Sequence, residues 1–539
     1  MLEIIIQLIL VSFIGLGFGL YFSSIFKINF HNPIRYFYFG LFWIAIIERI
    51  ISFYHPINAI IFFLFLLIAT LFLFINRVKV GEISNQIIKL SKENKVLIIF
   101  ISIFVVYFSS LSSVSYDEGL YHAGFISWVN KYSIVKGLAN LEIRFGLNSN
   151  WHFLQALFNG YQIWPVVSNS LNSFLILSFV FYFLFEFRES VNKLFLIFLF
   201  LPNLLVYHLI DPSTDLVIIF FTIALVSDLL LNKKKGGQDL FWLFAFPFLL
   251  TVKANFIMLL PLFIIYLYQL KFFNKDFVIK HSWKLFIYIF SLTATSVFSN
   301  ILLSGFIYFP YVELRNLNFI WKISELEKID FQTGVNYSMI NRYTGLFPTQ
   351  IAQLSKAASL NLWWASVKIL DRLLFLLSIS SLALFIFFNR KSRYKLVISI
   401  FLFFAFVANF LLSFDFRFYG GAVISILFCF SFYPIVEKFK TKFTYIIFFI
   451  LLFEFSTTYF LYAKMYHKSY VNKPLNSIHL IHKAGYVYSE MKSINVNGIN
   501  LTKPIGNEFS WDSIPSINYE SDHLFRIGVK NAEGFYKKN

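Results

Sequence analysis

The chain carries one cysteine, Cys429, and it lies in an apolar run, so neither an intrachain disulfide nor a cysteine metal cluster is available. Charge is scarce as well, with Asp, Glu, Lys and Arg making up 14% of 539 residues. A water-exposed surface for a chain of this size cannot be assembled from so few ionised groups. No phosphate loop or dinucleotide fingerprint occurs, which speaks against an ATP-driven transporter. Residues 2–24 lack a basic lead and a small-residue cleavage site, so this stretch is expected to be a first membrane span and not a signal peptide.

What is present is apolar: 58% of residues are hydrophobic and 74 are Phe, with a mean hydropathy of +0.69. Most side chains must face lipid or one another. A bilayer core of roughly 30 Å asks for about 20 apolar residues per helical span, and such runs recur to about position 463. They are nearly continuous, as in 57–74 and 194–205, which fits helices and not the short alternating segments of a β-barrel. The fold class is therefore an all-α polytopic membrane protein. Net charge is +18, but Lys and Arg gather in short loops between apolar runs, as the positive-inside rule requires. The implied partners are membrane lipids, with anionic headgroups at those loops, and no nucleic acid.

Seven basic loops, at 27–35, 77–95, 188–193, 233–235, 271–284, 390–395 and 438–442, agree in parity if all are cytoplasmic. That requires about 14 spans, near 2–24, 36–54, 56–76, 96–114, 165–187, 194–210, 214–231, 240–252, 255–270, 284–303, 365–388, 396–412, 420–436 and 443–463. If the short pair 240–252 and 255–270 is a half-inserted hairpin, the number falls to about 12. Residues 1–463 then form a transmembrane domain and 464–539 an extracytoplasmic tail, with short strands expected near 498–501. On the face opposite the basic loops lie two long polar loops, 115–164 and 304–364, and loops that long are usually functional.

The first long loop opens Ser115-Tyr116-Asp117-Glu118-Gly119-Leu120-Tyr121-His122. Two adjacent carboxylates and a histidine one turn later can supply a general base, hold a divalent ion such as Mg or Mn, or both. The bland alternative is that both acids cap the following helix. Further on, Arg144 sits among amides and hydroxyls and suits a phosphate, though it could instead pair with Glu142 or Asp117. The turn Asp211-Pro-Ser-Thr-Asp215 joins two spans, and either acid could cap the next helix. Lys253 interrupts an apolar stretch, so it needs a phosphate or an acid such as Asp211 or Asp215 as partner. Asp371 and Arg372 begin a later span. Asp415 and Arg417 precede Gly420-Gly421, where Arg417 could meet an anion or simply pair with Asp415.

An acidic pair in the first large loop after a span, followed by a surface-lying helix near 120–132, resembles the GT-C superfamily of membrane glycosyltransferases. About four predicted spans precede the pair here, where the superfamily commonly has one. The chain is more closely similar to uncharacterised bacterial polytopic membrane proteins, through Asp117-Glu118 with His122, 137–151, Asp211-Pro-Ser-Thr-Asp215, Thr251-Val-Lys253, 304–310, Asp415-Phe-Arg417-Phe and Trp511-Asp512. The resemblance implies a sugar moved from a polyprenyl-phosphate donor to an acceptor hydroxyl of a glycan or lipid-linked acceptor, with inversion, outside the bacterial inner membrane. It makes Asp117 the base, with Glu118 or His122 orienting it or holding the metal. Arg144, Lys253 and Arg417 would stabilise the phosphate leaving group, with Asp211, Asp215, Arg342 and Asp415 in support. Two other functions fit a chain of this kind. One is an oligosaccharide polymerase or ligase, in which Arg342 would matter most. The other is a secondary transporter or lipid flippase, against which intramembrane charge is sparse.

Overall fold

The computed structural model describes residues 1–113, 115, 117–186, 211–230, 240–270, 272, 275–313, 319–389, 392–413, 456, 459–460, 462–464, 466, 481, 490–505, 513–517 and 524–537. The predicted spans at 194–210 and 420–436, most of that at 443–463, and Asp415, Arg417, Trp511 and Asp512 lie outside these residues. So does the Asp371 side chain.

The described chain is mostly helical. In order come α1 (Leu2–Phe26), α2 (Ile34–Ser52), α3 (Ala59–Ile75), α4 (Arg77–Glu93), α5 (Lys95–Ser109), α6 (Ala123–Lys131), α7 (Asn150–Phe158) and α8 (Ser170–Glu186). They are followed by α9 (Asp215–Leu230), α10 (Phe241–Val252), α11 (Leu260–Gln269), α12 (Lys275–Ser304) and α13 (Glu325–Thr344). Among the described residues, three stretches are long and apolar enough to cross a bilayer: Leu2–Phe26, His281–Ser304 and Arg393–Leu412. Shorter apolar helices, among them α5, α8 and α10, pack around them.

The pairing of α1 with α2 rests on missing side chains. Gly15 and Gly19 lie one turn apart on α1, and a Cβ on Gly40 of α2 would stand 1.9 Å from the Gly15 carbonyl oxygen. A Cβ on Gly19 would meet the Tyr36 carbonyl oxygen at 1.8 Å. In a membrane, where the hydrophobic effect between helices is weak, such close backbone approach is what holds a pair together.

The 77–95 segment, expected as a basic loop, is instead mostly helix. It turns 92° from α3 at Asn76, and its Val80, Ile83, Ile87 and Leu90 recur every three or four residues. That spacing makes one apolar stripe beneath an otherwise charged helix, and Ile83 and Leu90 are buried. α4 floors an apolar cavity of about 700 Å³ whose walls include Leu8 and Leu16 of α1, Val106 of α5 and Leu177 of α8.

Arg35, in the first turn of α2, is buried among partners from two other helices, α8 and α9. Its Nη2 donates to Asp228 Oδ2 at 2.7 Å, to Tyr182 Oη at 2.8 Å and to Glu186 Oε1 at 3.3 Å. Trp242 Nε1 donates to Asp228 Oδ2 at 2.7 Å. α2, α8, α9 and α10 are thereby tied by one charged knot, in surroundings where an unpaired ion would be costly.

The 304–364 loop is also largely helical. α13 is capped by Ser324, whose hydroxyl accepts from Glu327 N, and ends at Gly345 with φ 72°. Helices Pro348–Ala352, Lys356–Ser366, Ile369–Asn389 and Arg393–Ser413 follow, and the described residues also hold three two-stranded antiparallel sheets: β1 (Phe306–Tyr308) with β2 (Val312–Glu313), β3 (Met491–Val496) with β4 (Ile499–Pro504), and β5 (Leu524–Arg526) with β6 (Phe535–Lys537). The β3–β4 hairpin turns at Asn497-Gly498, both at positive φ, as a two-residue turn requires.

Candidate active site

Between α5 and α6 the backbone winds into a π-turn, Glu118–His122, a widened turn that recurs at functional sites. It separates the two adjacent acids. Glu118 is wholly buried; it accepts from Asn169 Nδ2 at 2.7 Å and from the Ser113 hydroxyl. Asp117 precedes the turn, caps nothing with its side chain, and is only half-buried. Capping therefore does not account for either carboxylate.

Asp211 comes to the same place from the turn that leads into α9. Its Oδ2 accepts from Ser115 Oγ at 2.5 Å, while Oδ1 has no hydrogen-bond partner among the described residues. Burial pushes the Asp211 carboxyl well above the ordinary carboxylate range, and the nearby Glu118 charge pushes the same way against the Ser115 hydrogen bond. Asn172 holds the turn by donating to the Asp211 carbonyl oxygen at 2.6 Å, and its own Oδ1 accepts from Trp151 Nε1 at 2.7 Å and Gln155 Nε2 at 3.2 Å. Asp215 forms an ion pair with Lys253. Lys253 sits at the break after α10 and is partly buried, and two residues earlier Thr251 Oγ1 accepts from Asn150 Nδ2 at 2.6 Å.

Tyr121 and His152 show how closely these charges meet. Burial raises the Tyr121 phenol well above its ordinary value, and Asp117, Asp215 and Asp211 add to the rise while Arg144 opposes it. The His152 ring lies 4.6 Å from that of His122, centroid to centroid. Burial drives the His152 imidazole well below its ordinary value, helped by His122, Arg49 and Lys253, so it is neutral. Arg144 pairs with Glu142 at 2.7 Å, one of the two acids its sequence context offered.

The structure thus gathers Asp117, Glu118, His122, Arg144, Lys253, Asp211 and Asp215 into one polar cluster. It does not bring Arg342 there. That residue is exposed on the last turn of α13, and among the described residues no hydrogen bond or ion pair joins it to the cluster. No group of three or more His, Cys, Asp or Glu among the described residues is arranged to hold a metal ion, and both Glu118 oxygens already accept hydrogen bonds.

Sequence reasoning passed over Ser113, Ser115, Asn169 and Asn172. Two polar runs carried the signal, 109–115 with its five Ser and 168–173 with its Ser-Asn-Ser-Leu-Asn-Ser, each at one end of an apolar helix. Those ends face each other: Ser109 Oγ and Ser173 Oγ lie 2.5 Å apart. The apolar cavity shares the same walls, α5 and α8. Beside it the Ser168 hydroxyl donates to Gln7 Oε1 of α1, and the next residue, Asn169, donates to Glu118.

A family model described as a domain of unknown function, DUF8201, matches residues 1–424. No curated protein and no solved structure matches the chain.

Proposed function

The chain belongs to the DUF8201 family, and because residues 1–424 hold every described group of the polar cluster, we propose that this cluster is the family's active site and that it transfers a sugar from a polyprenyl-phosphate donor to an acceptor hydroxyl. The site faces the outside of a bacterial inner membrane, in a GT-C-like domain of 12–14 spans. The observation that carries the reading is the contrast within the acid pair. Glu118, Asp211 and Asp215 are buried, whereas Asp117 is half-buried.

In this mechanism Asp117 takes the proton of the acceptor hydroxyl as that oxygen bonds to the anomeric carbon. The bond from the anomeric carbon to the phosphate oxygen breaks in the same displacement, inverting the centre and releasing polyprenyl phosphate. Lys253 and Arg144 meet the charge that develops on the phosphate, each moderated beforehand by its own acid, Asp215 and Glu142. Glu118 fixes the π-turn and so aims Asp117. The apolar cavity beside α5 and α8 supports a donor that arrives along the lipid phase with its phosphate at the acid cluster.

The test is transfer of radiolabelled sugar from polyprenyl-phosphate sugars by the purified full chain in detergent. Asp117→Asn is expected to lose transfer by about 10²-fold or more while still binding donor. Equal transfer by both proteins would remove Asp117 as base, and failure to bind any lipid-linked sugar would remove the reaction class.

A further inference from the structure

The last described strand, β6, pairs with β5 and also lies against the first long loop. Phe535 N donates to the Lys136 carbonyl oxygen at 2.9 Å, and the Phe535 carbonyl oxygen accepts from Asn140 Nδ2 at 3.3 Å. Its ring is wholly buried and meets Trp128 of α6 edge-on at 5.9 Å. Two residues on, Lys537 Nζ pairs with Glu327 of α13 at 2.5 Å. One short strand therefore touches three segments: the helix that follows the π-turn, the 136–140 turn, and the helix of the second long loop.

The turn is shaped to receive it. Gly137 has φ 62°, and a Cβ there would stand 2.0 Å from the Phe535 carbonyl oxygen. Gly137 N donates to the Leu302 carbonyl oxygen at 2.7 Å, and Asn140 Nδ2 donates as well to the Trp321 carbonyl oxygen at 2.9 Å. The 3₁₀ turn carrying Arg144, Ile143–Leu147, follows three residues after Asn140. The strand itself lies beyond residue 424, where the family match ends.

We infer that the C-terminal strand is a clasp that positions the 136–147 loop, holding the Glu142–Arg144 pair against the acid cluster and locking the two long loops together through Lys537 and Glu327. Asn140 and Phe535 are its positioning residues. The Lys537–Glu327 pair is its latch, partly exposed and so weakened by salt. The clasp stands on geometry alone; only its effect on donor handling by Arg144 rests on the proposed function.

Hydrogen exchange of the purified full-length protein tests the inference without substrate. Ending the chain at Gly534 should speed exchange of amides in 136–147 by about tenfold or more, with α1 and α2 unchanged. Lys537→Glu should speed the same amides by about two- to fivefold, and adding Glu327→Lys should restore them. Unchanged exchange in the shortened chain, no restoration by the charge swap, or equal acceleration in α1 and α2 would each overturn the clasp. If transfer is also measurable, the shortened chain should show a raised KM for donor with a smaller change in kcat. An unaltered protein that transfers nothing counts against the proposed function and leaves the exchange result standing.

Discussion

Replacing Asp211 by Asn should leave the site intact and remove a pH dependence. Asp211 is buried, accepts from Ser115 through one oxygen and has no described partner at the other. An Asn keeps the accepting oxygen and puts an amide where the neutral acid holds its proton. Because burial and Glu118 raise the folded-state pKa above the ordinary 3.8, the folded protein binds a proton that the unfolded chain has released. Stability from this group is then complete below the ordinary value and is lost as pH rises toward the folded-state pKa. One proton limits the slope to about 1.4 kcal/mol per pH unit. Asp211→Asn should therefore gain on the wild type as pH is raised from about 4.5, since its own amide does not titrate. Asp211→Ala should lie about 1–3 kcal/mol below the Asn variant at every pH, because neither titrates and only Ala leaves the Ser115 hydroxyl without its acceptor. Thermal unfolding in detergent, followed by tryptophan fluorescence across the pH range, reads the difference between the variants. Parallel wild-type and Asn curves, or an Asn variant as unstable as Ala, would refute the argument.

Other outcomes follow from the same geometry. Lys253→Met removes the Asp215 counterion at a partly buried site and should cost about 1–3 kcal/mol, most of it recovered in Lys253→Met/Asp215→Asn, as read by unfolding midpoints of the single and double variants. Gly40→Ala drives a methyl into the Gly15 backbone, so a loss of about 3 kcal/mol or failure to accumulate in the membrane is expected. Arg342→Ala should leave sugar transfer within about twofold of wild type; abolished product formation with Asp117→Asn active would instead favour a polymerase or ligase.

Apolar runs made α1, α2 and α8 legible as helices in the sequence, because a long apolar run between polar breaks is itself a helix signal. The α4 helix is less legible, although Val80, Ile83, Ile87 and Leu90 spell it out, because its basic residues also mark a loop and mask that periodicity. In the site, the Asp215 partner of Lys253 was foreseeable from charge alone. The split between Asp117 and Glu118 was not, since it depends on a π-turn and on Asn169, some 50 positions away. Ser and Asn at helix ends look alike whether they meet lipid headgroups or a buried acid, and only the packing of α5 on α8 decides between them.

The knot around Arg35 has a consequence for the making of the protein. Arg35 leaves the ribosome 193 residues before Asp228 and 151 before Glu186. At about 5–20 residues per second, the wait for Asp228 is about 10–40 s. Through that interval the guanidinium of α2 is without these two acids, and the contact of α2 with α8 and α9 at this point cannot form. Emergence of α9 is then the event that draws α2 into register, which makes the order of translation part of how this bundle closes.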